Sequence, residues 1–393
     1  MRHDIVRRFE VYAERKEVLE EVRRQLRGAS VGITEDVDAR AINVSFHGDA
    51  SVAAKIRERI ARIQGARIIR DFLEVPAAVP RPPAMAKPGS LAVAPGDDGD
   101  RYPDQAALLR IDPDGLSRNE QGTGARVVVA IVDSGIMVDH PDLKGHLWTA
   151  KVDGQDVHGA RCMGDQRDHD LTDQDGHGTM LAGSILATAN SVGGLELMGV
   201  KFFDFATQPS AANAAQAIRF AVENGAHIIN LSFDLGIGSN ELEQAIASAG
   251  RAGVLVVMAA GNTGSDNDQY PLVPARYAES CPESAIVVMA TDSYDGRAMI
   301  SNFGRRSVDL AAPGVRIWST CVSRGGAGSR KYGAYTGTSA ATAQVSGAAA
   351  LLKSQDPSRT ASDIKRRLMG TVDRLPQLKC VSGGRLNLGR ALT

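Results

Sequence analysis

Five short runs, 127–132, 198–203, 228–233, 254–258 and 286–289, are apolar almost throughout. A strand that alternates polar and apolar residues can face water on one side, but a run with no polar face has to be covered on both. Stretches of helical periodicity stand between these runs, among them 210–223 and 240–251. Strands alternating with helices close into a parallel sheet covered by helices, and such a sheet carries its site at the carboxyl ends of its strands. The alternation continues from about residue 104 to the end without an internal repeat, which reads as one large α/β domain.

Proline marks off what precedes it. Of 16 prolines, none lies before Pro76 and seven fall between Pro76 and Pro103. Proline fixes φ and lacks the N–H, so residues 76–103 sustain neither a helix nor a central strand and read as an extended linker. Residues 1–75 have their own pattern. Strand-like runs at 5–12, 30–34, 41–46 and 66–75 enclose two helical stretches, one marked by Val18, Leu19, Val22 and Leu26, the other by Val52, Ile56, Ile60 and Ile63. The order is β-α-β-β-α-β, a ferredoxin-like α+β unit, which hosts many functions and by itself implies none.

The charge balance narrows the partners. Lys+Arg total 45 against Asp+Glu 46, a net charge of −1, without the positive excess on which nucleic-acid binding draws. No apolar run approaches the roughly 20 residues of a membrane helix. The first 22 residues are charged throughout and lack the apolar core of a secretory signal. Cys162, Cys281, Cys321 and Cys380 are widely spaced with no C-x-x-C pair, which indicates neither a disulfide framework nor a zinc finger. The expectation is a cytoplasmic protein with no nucleic-acid and no membrane partner.

Four segments carry chemistry. The run 127–132 ends on Asp133, and a carboxylate at the end of a buried strand needs hydrogen-bond partners. Asp173-Gln-Asp-Gly-His-Gly-Thr179 leads into an apolar stretch that reads as a buried helix starting near His177. Tyr335-Thr-Gly-Thr-Ser-Ala-Ala341 runs into a small-residue helix with Ser339 in its first turn, where backbone N–H groups face an anion. The run 254–260 ends in Gly261-Asn262-Thr263-Gly264, and Asn262 there is a candidate donor to an oxyanion beside the Ser339 N–H. Each has an ordinary structural reading: Asp133 as a turn cap, His177 as a satisfied histidine, Ser339 as an N-cap. Jointly they supply a nucleophile, a general base and the carboxylate that orients the base.

The chain order Asp, His, Asn, Ser and the stretches around it resemble the subtilisin-like serine peptidases, the subtilases. The matching stretches are Ile131-Val-Asp-Ser-Gly135, His140-Pro-Asp-Leu143, Asp175-Gly-His-Gly-Thr179, Ile229-Asn-Leu-Ser232, Ala259-Ala-Gly-Asn262, Ser301-Asn-Phe-Gly304, Val308-Asp-Leu-Ala-Ala-Pro-Gly314 and Gly337-Thr-Ser-Ala-Ala341. They keep the family's order over about residues 104–393. The resemblance implies a subtilisin-like three-layer α/β domain with a mostly parallel central sheet over 104–393. It makes 76–103 a linker and 1–75 a propeptide-like domain that occupies the active-site cleft until self-cleavage between about Leu73 and Asp100. It further implies a serine endopeptidase acting on a protein or peptide substrate, here an intracellular protein or leader peptide. Ser339 would attack the scissile carbonyl, His177 would shuttle its proton, Asp133 would hold the imidazolium, and Asn262 with the Ser339 N–H would bind the oxyanion. Ser232, Phe233 and Asp234 on one side, and Ala259, Ala260 and Gly261 on the other, would bind the substrate.

Departures from the family's pattern carry their own expectations. Met180, Ala340 and Ala343 stand where family members usually have His, Met and Pro, and they read as packing changes. Phe233-Asp234 stands where a Gly usually follows the pocket strand's Leu, so Asp234 is either a solvent-facing carboxylate or one that favours a basic residue in the substrate. No cofactor is required for the chemistry. Structural calcium is a separate expectation: Asp142 matches a carboxylate ligand of the family's site and Asn190 lies in its supporting loop, but Ala189 replaces one oxygen ligand. The segment 153–175, with His158, Cys162, His169 and several aspartates, fits no familiar zinc spacing and reads as an acidic surface loop. Two other classes stay open: a non-catalytic binding module, opposed by the four intact positions, and an acyl-transferring ligase or cyclase. The latter needs a lid against water, and no large insertion follows His177.

Overall fold

The computed structural model describes residues 6–13, 21, 22, 24, 26, 31–35, 41–47, 66–74, 106–113, 115 and 124–393, the last without 165, 190–191, 205–206, 208, 236–237 and 323–331. The chain divides into two compact units, Met1–Asp97 and Asp98–Thr393.

In the first unit, β1 (Val6–Ala13), β2 (Val31–Glu35), β3 (Ala41–His47) and β4 (Ala66–Glu74) form an antiparallel sheet in the order β2-β3-β1-β4. The first strand lies between the third and the fourth, which is the ferredoxin-like order expected from β-α-β-β-α-β. Val22 and Leu26, four apart on a helical stretch, are both fully buried. The second expected helix and the Pro-rich stretch lie outside the described residues.

The second unit begins with α1 (Ala106–Ile111) and β5 (Val127–Asp133). Two hairpins follow, β6 (Ala150–Val152) with β7 (Gln155–Val157), then β8 (Gly159–Met163) with β9 (Gln166–Asp168). Next come α2 (His177–Thr188), β10 (Leu195–Lys201), α3 (Ala211–Glu223), β11 (Ile228–Leu231), α4 (Asn240–Arg251), β12 (Leu255–Ala259), β13 (Ala285–Thr291) and β14 (Leu310–Pro313). The antiparallel pair β15 (Ile317–Thr320) and β16 (Tyr332–Tyr335) precedes α5 (Thr338–Gln355), α6 (Ala361–Gly370), β17 (Asp373–Arg374), β18 (Gly384–Arg385) and α7 (Leu388–Leu392). Ten strands form one sheet, ordered β17-β18-β14-β13-β12-β11-β5-β10-β8-β9, parallel from β18 to β8 and antiparallel only at its two outer pairs.

Alternation along the buried strands sorts the core into two layers. Val127, Val129 and Ile131 pack with α2, α5, α6 and α7 on one face, whereas Val128, Ala130 and Val132 pack with α3 and α4 on the other. The same period directs Asp133 to the face of α2 and α5. Small side chains let α5 lie almost wholly buried along the sheet. A Cβ at Gly347 would sit 2.7 Å from the Ile185 carbonyl oxygen, so glycine sets the close approach of α5 to α2. Ala340 and Ala343 are fully buried in that helix.

Two stretches differ from the sequence-based expectation. Residues 153–175 are not an acidic loop but hairpin for much of their length, with β8 paired to β10 in the main sheet. The charges are used internally: Arg161 pairs with Asp168 and Asp170, and the His169 ring nitrogen Nδ1 lies 2.7 Å from the Gly159 carbonyl. Cys162 is buried there, which pushes its thiol up to about 11. Strand β10 starts at Leu195, ahead of the apolar run; half-buried Glu196, paired with Arg126 at 2.7 Å, interrupts the apolar pattern there.

His227 enters β11 between β5 and β12, and its Nδ1 accepts the Val128 N–H at 3.0 Å. Burial lowers its pKa below 6.5, and Lys353 and Arg126 add to the effect. Because the unfolded chain then takes up the proton first, stability is complete above pH 6.5 and is lost as pH falls through the folded-state value. Urea unfolding between pH 7.5 and 5.5 is expected to show that fall. It should be smaller in His227→Asn; an equal fall in both proteins would assign the loss to other groups.

Candidate active site

Asp133, His177 and Ser339 come from the end of β5 and the first turns of α2 and α5, all on one face of the sheet. Asp133 is fully buried. Its Oδ1 accepts from the Ser134 N–H at 2.8 Å and lies 2.9 Å from His177 Nδ1. Its Oδ2 is buried without a hydrogen-bond partner among the described residues. The His177 side chain remains 27% exposed, so its far nitrogen is open to the cleft.

The turn that carries His177 is organised by Asp173. One oxygen of this carboxylate accepts from Ser134 Oγ at 2.9 Å and the Gly176 N–H at 2.8 Å; the other accepts from the Thr179 N–H at 2.9 Å and Thr179 Oγ1 at 2.6 Å. Ser134 Oγ in turn accepts from the Gly178 N–H at 3.0 Å. A Cβ at Gly178 would lie 2.1 Å from the Gly135 carbonyl oxygen, so only glycine lets the helix start approach β5 this closely. Asp173 thus serves as the anionic cap of α2 and locks His177 against Asp133. Asp173→Asn, which swaps two acceptor sites for an N–H₂ facing other donors, is expected to cost about 2–3 kcal/mol of stability and to lower turnover. Urea unfolding checks it, and an Asn variant as stable as the parent would remove Asp173 from this role.

Ser339 is 6% exposed, and its hydroxyl donates to the Ser232 carbonyl at 3.0 Å. Among the described residues that carbonyl, not His177, is its partner. Behind it runs a buried chain in which Ser346 Oγ donates to Asn230 Oδ1 at 3.0 Å and Asn230 Nδ2 donates to Ser232 Oγ at 2.9 Å. It ties α5 to the end of β11. Asn262 Oδ1 accepts from the Thr338 N–H at 2.8 Å and from Thr338 Oγ1 at 3.1 Å, and Thr338 Oγ1 accepts from the Gly261 N–H at 3.2 Å. With its oxygen occupied, the Asn262 amide has its Nδ2 end left to donate.

The expected substrate-binding residues flank this group. Ser232 and Ala259–Gly261 are buried, Phe233 is half-buried against Phe202, and Asp234 is exposed. Neither Ser134, Thr179, Thr338 nor Asn230 stood out in the sequence, because a hydroxyl or amide in an apolar stretch carries no period of its own.

Of the two expected calcium ligands, Asp142 and Asn190, only Asp142 lies among the described residues. Its Oδ2 accepts from the Tyr332 hydroxyl at 2.9 Å. Among the described residues no group of three or more His, Cys, Asp or Glu is placed to hold a metal. None of their helices is long and apolar enough to cross a membrane.

The model of the subtilase family matches residues 124–385, which contain all four of these positions. The chain belongs to the subtilase family. This subtilase is 36% identical over 281 residues to alkaline elastase YaB from Bacillus sp. (strain YaB), covering 70% of this chain and 66% of that protein. It is 37% identical over 288 residues to subtilisin Savinase from Lederbergia lenta, covering 70% of this chain and 96% of that protein. Among solved structures, a protease from Pseudoalteromonas arctica superposes with a TM-score of 0.60 at 26% identity, covering 74% of this chain and 95% of the other. The fold is accordingly the subtilisin-like α/β domain, and the chain is a subtilisin-like serine peptidase by family.

Proposed function

We propose that this subtilase is an endopeptidase that hydrolyses peptide bonds through an acyl-enzyme on Ser339. The observation that carries the reading is the 2.9 Å contact between His177 Nδ1 and the buried Asp133, on the sheet face that also presents Ser339. With Nδ1 bonded to the carboxylate, the other ring nitrogen is the base. The Ser339 Oγ–H proton passes to that nitrogen as Oγ bonds to the scissile carbonyl carbon. The carbonyl oxygen takes the negative charge, stabilised by Asn262 Nδ2 and the Ser339 N–H. Collapse of this intermediate expels the amine, which takes the proton from His177, and water repeats the sequence to free the acid.

The N-terminal unit is proposed as an inhibitory prodomain that holds the cleft until it is cut off, supported by its ferredoxin-like strand order and its place ahead of the peptidase unit. An intracellular protein or leader peptide is the proposed substrate. Cys162, Cys281 and Cys380 are buried free thiols, which suits a reducing compartment. No metal enters these steps, so hydrolysis is taken to proceed without one. The test is hydrolysis of internally quenched peptides together with labelling by an active-serine phosphonate. Cleavage with the label on Ser339 supports the reading, and neither cleavage nor label overturns it.

A further inference from the structure

The register of an incoming peptide follows from the contact between Ser339 and Ser232. A substrate carbonyl carbon reached by the Ser339 hydroxyl brings the N–H of its own residue beside the Ser232 carbonyl, 3.0 Å from that hydroxyl. That carbonyl begins a backbone edge of the kind on which an extended peptide adds as a strand. Up to Leu231 both edges of β11 are taken, by β5 and by β12, and Leu231 is fully buried. The acyl side of the peptide therefore runs outward along 232–234, which is the antiparallel sense. In an antiparallel ladder, residues two apart on one strand face residues two apart on the other. The third residue before the cleaved bond then stands opposite Asp234, its Cβ about 4.5–5.5 Å away on the same face.

Alternation supports this placement. Phe233 packs against Phe202 with ring centres 4.6 Å apart, so Ser232 and Asp234 share the opposite side. Asp234 is exposed, and among the described residues no hydrogen bond or ion pair engages its carboxylate. From this juxtaposition, and resting on the peptidase reading above, we propose that Asp234 selects lysine or arginine at the third residue before the cleaved bond.

An opposite-charge pair across two strands predicts a preference of about two- to five-fold in kcat/KM. The test uses the full chain, incubated until its mass is constant, and quenched peptides carrying Lys, Arg, Gln or Glu in turn at each of the three residues before the bond. The expected result is a preference for Lys and Arg over Gln at the third position, with Glu worst. It should be lost in Asp234→Asn and weakened in about 0.5 M NaCl. Cleavage with no charge preference at the third position, or with one that survives Asp234→Asn, overturns the proposal and leaves the peptidase reading standing. Failure to cut any peptide, with no active-serine label on Ser339, overturns both.

Discussion

Ser339→Ala is expected to lower turnover about 10⁶-fold, the scale on which losing the nucleophile costs subtilisin, while the fold stays intact. Among the described residues the Ser339 hydroxyl makes one hydrogen bond, to the Ser232 carbonyl, and its loss removes about 1 kcal/mol. That corresponds to a shift in melting temperature of a few degrees at most, because the Asn230–Ser232–Ser346 chain and the Thr338–Asn262 bonds hold the start of α5 without it. His177→Ala should cost about as much, and the double variant little more, since a nucleophile without its base gains nothing from the other's presence. Residual hydrolysis above the rate in water would report the oxyanion donors alone. Intact mass gives a second readout. Wild type is expected to lose its N-terminal unit and Ser339→Ala to remain whole. Full turnover in Ser339→Ala would exclude it as the nucleophile, and an alanine variant trimmed as fast as wild type would show that processing is not its own chemistry.

The sequence carried the sheet and the four chemical positions for one physical reason: both depend on residues whose role is written in short local patterns. Runs such as 127–132 and 286–289 are apolar because both faces of their strands are covered, and Asp133 stands out because it ends such a run. Hydrogen-bonded support is less legible. Asp173 lies among several acidic residues; it matches an acidic position of the family, but its role shows in its four short contacts, whereas Asp168 and Asp170 pair with Arg161. The hairpins of 150–168 were hidden for the same reason, since small polar strands at a sheet edge look like loop when charge is the only signal. Strand β14 has the apolar composition but only four residues, Leu310–Pro313, too few for a period to emerge.

Asn262 is expected to contribute through both ends of its amide, and two substitutions separate them. Its oxygen accepts from the backbone and side chain of Thr338, the residue before Ser339; its nitrogen is the proposed oxyanion donor. Asn262→Ala removes both. Turnover should fall about 10²–10³-fold, the effect of deleting one oxyanion donor. KM should change little, because the bond strengthens only as the carbonyl becomes tetrahedral. Stability should fall as well, by about 1–2 kcal/mol, as the Thr338 donors lose their acceptor. Asn262→Asp keeps the shape and the acceptor, so the start of α5 stays held, but it places a negative charge where the oxyanion forms. It should match the alanine variant in stability no more than halfway while losing at least as much turnover. Urea unfolding and steady-state kinetics on the two variants decide the matter. If Asn262→Ala is less stable yet turns over as fast as wild type, the amide is a prop for Thr338 only. If Asn262→Asp is as stable as wild type and nearly inactive, the nitrogen end of Asn262 carries the catalytic share.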